Sequence, residues 1–258
     1  MPFLDSSPVR LHYRLDGPPG APALVLSHSL GADLGMWEPQ VPLLAREHRV
    51  VRYDARGHGA SPVASAPFGV GHLGRDVLDL LDGLGIARAS FCGLSLGGLV
   101  GQWLGLHAPQ RVDRLVLCNT GARIGTAAGW DARIESVGRD GMASIADAAI
   151  GRWFTPAFVA AAPGEVERLR RTIAATAPAG YAACCAALRD ADLTAEVSRI
   201  AAPTLVIAGS EDQATPPADG RFLADRIPGA RYLELPAAHL SNVEAAERFT
   251  AAVREFLG

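Results

Sequence analysis

The sequence predicts an α/β fold: a mostly parallel central sheet flanked by helices, with a helical cap inserted before the last two strands. Three observations predict it. Short runs rich in leucine and β-branched residues alternate with longer helix-compatible stretches, as repeated strand–helix–strand units do. Several of those runs are continuously apolar rather than alternating, the pattern of strands buried on both faces. One long segment, residues 121–190, breaks the alternation and contains no good strand run. With 258 residues, 49% hydrophobic and 20% charged, the chain can bury a substantial core.

In chain order, strands are expected at 10–15 (RLHYRL), 22–29 (PALVLSHS), 48–54 (HRVVRYD), 89–93 (ASFCG), 112–119 (VDRLVLCN), 203–209 (PTLVIAG) and 230–235 (ARYLEL). Helices are expected near 71–84, 95–107, 217–227 and 243–257. Residues 121–190 are Ala-rich and Arg-containing helical segments punctuated by Gly and Pro. Residues 1–120 and 191–258 are therefore expected to form the core, and 121–190 a cap over the carboxyl edge of the sheet, where long insertions commonly serve as lids. No internal repeat is present.

Composition excludes several classes. The 24 Lys+Arg and 27 Asp+Glu give a net charge of −3, and no dense basic run marks a nucleic-acid surface. The start, MPFLDSSPVRLHYRL, lacks the basic and apolar regions of a signal peptide. The longest weakly polar run, 91–106, is too short and too interrupted for a membrane span. Four cysteines, Cys92, Cys118, Cys184 and Cys185, have no CxxC spacing. They read as small apolar fillers in a reducing cytoplasm rather than zinc ligands, and adjacent Cys184 and Cys185 are poorly disposed to bridge each other. A cytoplasmic protein without metal or cofactor is expected, its oligomeric state open.

The densest signal is GLSLGG, residues 93–98, between a strand and a helix. Gly-x-Ser-x-Gly in that context is the pattern of a nucleophile elbow. The serine must sit on a sharp turn with unfavourable backbone angles, and a Cβ at either flanking position would crowd it. The turn also sets Ser95 at a helix N-terminus, which favours developing negative charge.

A serine hydroxyl needs a base to take its proton and an acid to orient that base, here in the order Ser, acid, His. Of seven histidines only His239, in LPAAHLSNVE, follows both Ser95 and the last strand. His28 and His58 could line the site without serving as base. The acid should follow a late strand, and PTLVIAGSEDQATPP offers Glu211 and Asp212. The alternative location, after the 112–119 strand, holds Asn119 and Thr120, which carry no charge. An oxyanion hole would draw one backbone N–H from Leu96 and a second from the loop SHSLGADLGMW, with Leu30 the candidate.

YDARGHGAS (53–61), GLSLGG (93–98) and the two late loops resemble the α/β-hydrolase superfamily across nearly the whole chain. Those motifs are shared by esterases, haloperoxidases, dehalogenases and carbon–carbon hydrolases, so they leave the substrate open. A dehalogenase would carry Asp at the position of Ser95. The resemblance selects Asp212, which precedes a Pro/Thr-rich loop, as the acid. Ser29 stands where related loops have a glycine after the histidine.

More specific stretches resemble the 3-oxoadipate enol-lactonase family of bacterial aromatic degradation. They are LSHSLGADLGMWEPQ (26–40), GLSLGGLVGQWLG (93–105), RLVLCNTGARIG (114–125), GYAACCAALRDAD (180–192), TPPADGRFLADRIPGARY (215–232) and AAHLSNVE (237–244). That resemblance implies cofactor-free hydrolysis of an anionic enol-lactone with an acetate arm, giving 3-oxoadipate. It calls for a cation facing the pocket. Arg133 in GWDARIESV is the candidate, with Trp130 and Trp153 as apolar walls, whereas Arg56 in DARGHG reads as a loop brace. The alternatives are a carboxylesterase or a carbon–carbon bond hydrolase with the same three residues, and a non-catalytic receptor that keeps the fold.

Overall fold

The computed structural model describes residues 2–6, 9–63 and 67–258. Its elements in chain order are β1 (Phe3–Ser6), β2 (Val9–Asp16), β3 (Ala23–Ser27), α1 (Val41–Leu44), β4 (Arg49–Tyr53), α2 (Val70–Gly83), β5 (Ala89–Leu94), α3 (Leu96–His107) and β6 (Val112–Cys118). Five helices follow before the sheet resumes: α4 (Ala127–Asp140), α5 (Ala143–Trp153), α6 (Pro156–Ala161), α7 (Pro163–Ala175) and α8 (Pro178–Asp190). The chain ends with β7 (Thr204–Gly209), α9 (Pro217–Arg226), β8 (Arg231–Leu235), α10 (Ser241–Glu244) and α11 (Ala246–Leu257).

The eight strands form one sheet in the order β1-β2-β4-β3-β5-β6-β7-β8. β1 and β2 pair antiparallel, as do β2 and β4, and every other pairing is parallel. The continuously apolar runs are the central strands: every residue of β5 and β7 is buried. The edge strand β8 is fully buried only at its last residue.

Two differences from the sequence expectation are local. β1, sequence FLDS, has four residues and no apolar run, and it exists because Phe3 through Ser6 pair with β2. The helix expected at 243–257 is two helices, α10 and α11, because Ala245 leaves the helical region at φ −114°, ψ 42°. Just before that break, the Glu244 carboxylate accepts from the Ala238 amide (2.9 Å) and the Thr155 hydroxyl.

The five inserted helices start on signals that the sequence carries. Pro156, Pro163 and Pro178 sit at helix starts, where a missing N–H costs nothing. The Thr126 and Thr155 hydroxyls accept from the amides of Gly129 and Phe158, both at 3.2 Å. The insertion is fixed to the sheet side by close contacts. Gly57, at φ 75°, and Gly180 approach so closely that a Cβ on either would lie 2.5 Å from the other's Cα. Arg56, next to Gly57, forms a buried ion pair with Asp76 of α2, its Nε 2.7 Å from Oδ2, so it braces the loop as expected. All four cysteines are free and buried, and the Cys184 thiol points at the Arg56 carbonyl, 3.9 Å away.

The Gly57–Gly180 contact generates a prediction. Gly57→Ala combines a left-handed backbone with a backbone clash, so it should lower the melting temperature by about 5 °C or more. A melting temperature within a degree of wild type by differential scanning calorimetry would show that the two segments separate without cost.

Candidate active site

β5 ends at Leu94 and α3 begins at Leu96, leaving Ser95 alone on the turn at φ 58°, ψ −111°. Such a backbone costs a non-glycine residue on the order of 1–3 kcal/mol and persists only where the surroundings enforce it. They do. A Cβ at Gly93 would lie 2.1 Å from the Gly97 carbonyl oxygen, and one at Gly97 would lie 2.3 Å from that of Ser27. The first turn of α3 therefore rests directly on β5 and β3. The Ser95 amide donates to the Cys118 carbonyl (3.0 Å), and the Thr120 hydroxyl donates to the Ser95 carbonyl (2.8 Å).

Asp212 and His239 meet across the carboxyl ends of β7 and β8, with His239 Nδ1 2.8 Å from Asp212 Oδ2. Glu211, the other acid of the loop, is exposed. The Asp212 carboxylate accepts from the amides of Ala214 (2.8 Å) and Thr215 (3.0 Å), from the Thr215 hydroxyl (2.7 Å) and from Asn119 Nδ2 (3.0 Å). Burial pushes its pKa up, but the His239 charge and these donors together outweigh it and hold the group down to about 2. Asp212 is a carboxylate across the physiological range.

Asn119, dismissed from sequence because it cannot carry charge, has a different task. It follows β6 at φ 43°, the second positive φ beside Ser95 among the described non-glycine residues. In that pose it donates to Asp212 and to the Ala238 carbonyl (3.2 Å), while its Oδ1 accepts from the Ser241 hydroxyl (2.5 Å). Sequence reading missed Asn119, Thr215 and Ser241 in this role. The one signal available was an asparagine directly after a strand, a residue type that tolerates the left-handed turn.

His28 and His58 are buried braces of the loop that follows β3. His28 Nε2 accepts from the Ala55 amide (2.9 Å) and its Nδ1 lies 2.8 Å from the Ser29 carbonyl. His58 Nε2 accepts from the Gly31 amide at 3.0 Å. Burial, then the neighbouring His28, push His58 down to about 3, so it remains a neutral acceptor. The Gly31 N–H is thereby taken, and Leu30, the residue before it, lines the pocket.

The pocket is a cavity of about 310 Å³ whose lining includes Ser29, Leu30, Ser95 and His239 on the sheet side. Its other wall comes from the insertion and includes Trp130, Arg133, Trp153 and Tyr181. Trp130 is fixed by its indole N–H, which donates to the Ile124 carbonyl (2.7 Å), and the Arg133 guanidinium lies 5.1 Å from the Trp130 ring centre. A residue not anticipated from sequence, Arg152, also lines this wall. Among the described residues no cluster of His, Cys, Asp and Glu could hold a metal ion, and no helix is long and apolar enough to cross a membrane.

Fold and site define an α/β hydrolase, and the comparisons agree: residues 22–246 match the family model described as alpha/beta hydrolase fold, and the chain belongs to that family. Within it, the chain is 44% identical to 3-oxoadipate enol-lactonase 2 of Acinetobacter baylyi, over 97% of this chain and 94% of that protein. The crystal structure of the enol-lactonase from Burkholderia xenovorans superposes with a TM-score of 0.98 at 46% identity, covering 99% of both chains. A hydrolase from Pseudomonas aeruginosa superposes with a TM-score of 0.97 at 52% identity, covering 100% of this chain and 98% of that one.

The environment of Asp212 generates a pH prediction. Its folded pKa of about 2 lies below the unfolded value of about 3.9, so ionised Asp212 stabilises the fold above that value. The contribution is lost as pH falls toward 2. Asp212→Asn should therefore show a shallower loss of stability between pH 4 and 2 in urea titrations than wild type. Equal slopes would mean that the carboxylate is not held down by its partners.

Proposed function

We propose that the protein is a serine hydrolase that opens 3-oxoadipate enol-lactone to 3-oxoadipate through an acyl-enzyme on Ser95. The observation that carries this reading is the pocket, in which a serine on a strained turn and a histidine bonded to a buried carboxylate face an arginine set in an aromatic wall. The likeness to relatives named as enol-lactonases over nearly the whole chain supports the substrate.

In this reading Ser95 Oγ attacks the ring carbonyl while His239 Nε2 takes its proton. Asp212, bonded to Nδ1, keeps the imidazole oriented and stabilises its charged form. The tetrahedral oxyanion is held by the Leu96 and Leu30 amides, at a helix N-terminus that itself favours negative charge. The ring C–O bond then breaks, His239 returns the proton to the departing enol oxygen, and the enol tautomerises to a ketone. Water, deprotonated by His239, attacks the acyl carbonyl, the bond to Ser95 Oγ breaks as His239 returns the proton to it, and the second carboxylate is released. Arg133 pairs with the acetate arm, and Trp130 and Trp153 cover the ring from the insertion, residues 121–190, which acts as a cap over the core. The enzyme works in the cytoplasm on a free small molecule and needs no cofactor.

The test follows the ultraviolet absorbance of enol-lactone generated in situ from muconolactone by its isomerase. Wild type should reach a kcat/KM above ~10⁴ M⁻¹s⁻¹, and Ser95→Ala should lose on the order of 10⁴-fold or more. Hydrolysis of p-nitrophenyl acetate without lactone turnover would keep the hydrolase and remove the lactonase. Arg133→Met should raise KM about tenfold with a smaller change in kcat, and an unchanged KM would remove Arg133 from the carboxylate site.

A further inference from the structure

The pocket wall holds more positive charge than one carboxylate-binding arginine accounts for. Arg152 lies in the last turn of α5, Arg133 lies in α4, and both line the same cavity. Each is half-buried, and neither forms an ion pair with Asp or Glu among the described residues. The groups beside them do not compensate. Tyr181 lies within hydrogen-bonding reach of Arg133 and feels the charge of Arg152, but burial pushes its phenol up to about 12 and keeps it neutral. Burial likewise pushes the neighbouring Cys185 thiol up to about 12. Arg152 itself is pushed below the usual guanidinium range, first by burial and then by the charge of Arg133.

Two guanidinium groups brought to one half-buried wall without a carboxylate repel each other, and that repulsion is weakly screened away from water. A bound anion relieves it and offers both groups short charge-assisted hydrogen bonds. We propose that Arg152 is the second guanidinium of the site that holds the substrate's free carboxylate, and that it sets the preference for anionic over neutral acyl substrates. Arg133 alone would favour an anion modestly. The pair makes a neutral ester a poor occupant, because it leaves both charges desolvated and unpaired. The inference rests on the lactonase reading for the natural ligand, but the site itself would accept any short chain ending in a carboxylate.

The experiment measures kcat/KM for the enol-lactone and for p-nitrophenyl butyrate, a neutral ester, in wild type, Arg152→Met and Arg152→Lys. It also measures inhibition of p-nitrophenyl butyrate hydrolysis by adipate, a short dicarboxylate. In Arg152→Met the lactone-to-ester ratio of kcat/KM should fall about tenfold or more through KM, with a parallel rise in the adipate inhibition constant. Arg152→Lys, which keeps the charge but loses the fork, should recover part of both. A ratio and an adipate constant within twofold of wild type in Arg152→Met would overturn the proposal. So would equal losses on both substrates with adipate inhibition unchanged, the signature of a merely structural arginine. If wild type does not turn over the lactone, the function proposed above falls and the adipate arm decides alone. Inhibition that depends on Arg152 then upholds the anion site, and inhibition indifferent to it removes the site.

Discussion

The seating of α3 on β5 and β3 is the constraint on which the rest of the site depends. No side chain fits at Gly93 or Gly97, so the helix begins as close to the sheet as two backbones allow. Ser95, between them, has no relaxed conformation available and takes the strained one. The strain is held by hydrogen bonds to the end of β6, through Cys118 and Thr120. The residue between those two, Asn119, is turned by its own positive φ toward Asp212. One strand end thus fixes both the serine and the carboxylate bonded to His239, and Ser241 ties the same asparagine to the segment after His239.

Much of this was legible in the sequence because it depends on local chemistry. A glycine on either side of a serine, after an apolar run and before a helix, states its own steric reason. Strands buried on both faces read as continuous apolar runs, and β5 and β7 are buried throughout. Elimination left His239 as the histidine after the last strand, and it is the one bonded to Asp212. The residues that escaped notice act over long sequence separations. Asn119 reaches Asp212 across 93 positions and Ser241 across 122, so nothing near any of them announces the contact. β1 was illegible for another reason: its short, partly polar run becomes a strand only by pairing with β2.

The two arginines mark the boundary of sequence reading differently. Arg133 and Arg152 are 19 positions apart on separate helices, and each alone resembles the solvated arginines that crowd this insertion. What distinguishes them is that neither forms an ion pair with Asp or Glu among the described residues, and that they lie beside a phenol and a thiol that burial keeps neutral. Tyr181 also links that wall to the sheet side, because its ring packs against Gly31 in the loop that carries Leu30.

The contact between Gly57 and Gly180 also bears on how this architecture can be varied. The insertion begins and ends between two parallel strands, so in topology it could be exchanged for the corresponding segment of another hydrolase. Sterically it cannot be exchanged freely, because the loop after β4 meets the insertion backbone to backbone at one point. A transplanted segment with any side chain at the position of Gly180 would be lifted off the sheet, carrying its pocket wall away from Ser95. Recombination across this border is therefore restricted to partners that bring a glycine to both sides of the seam.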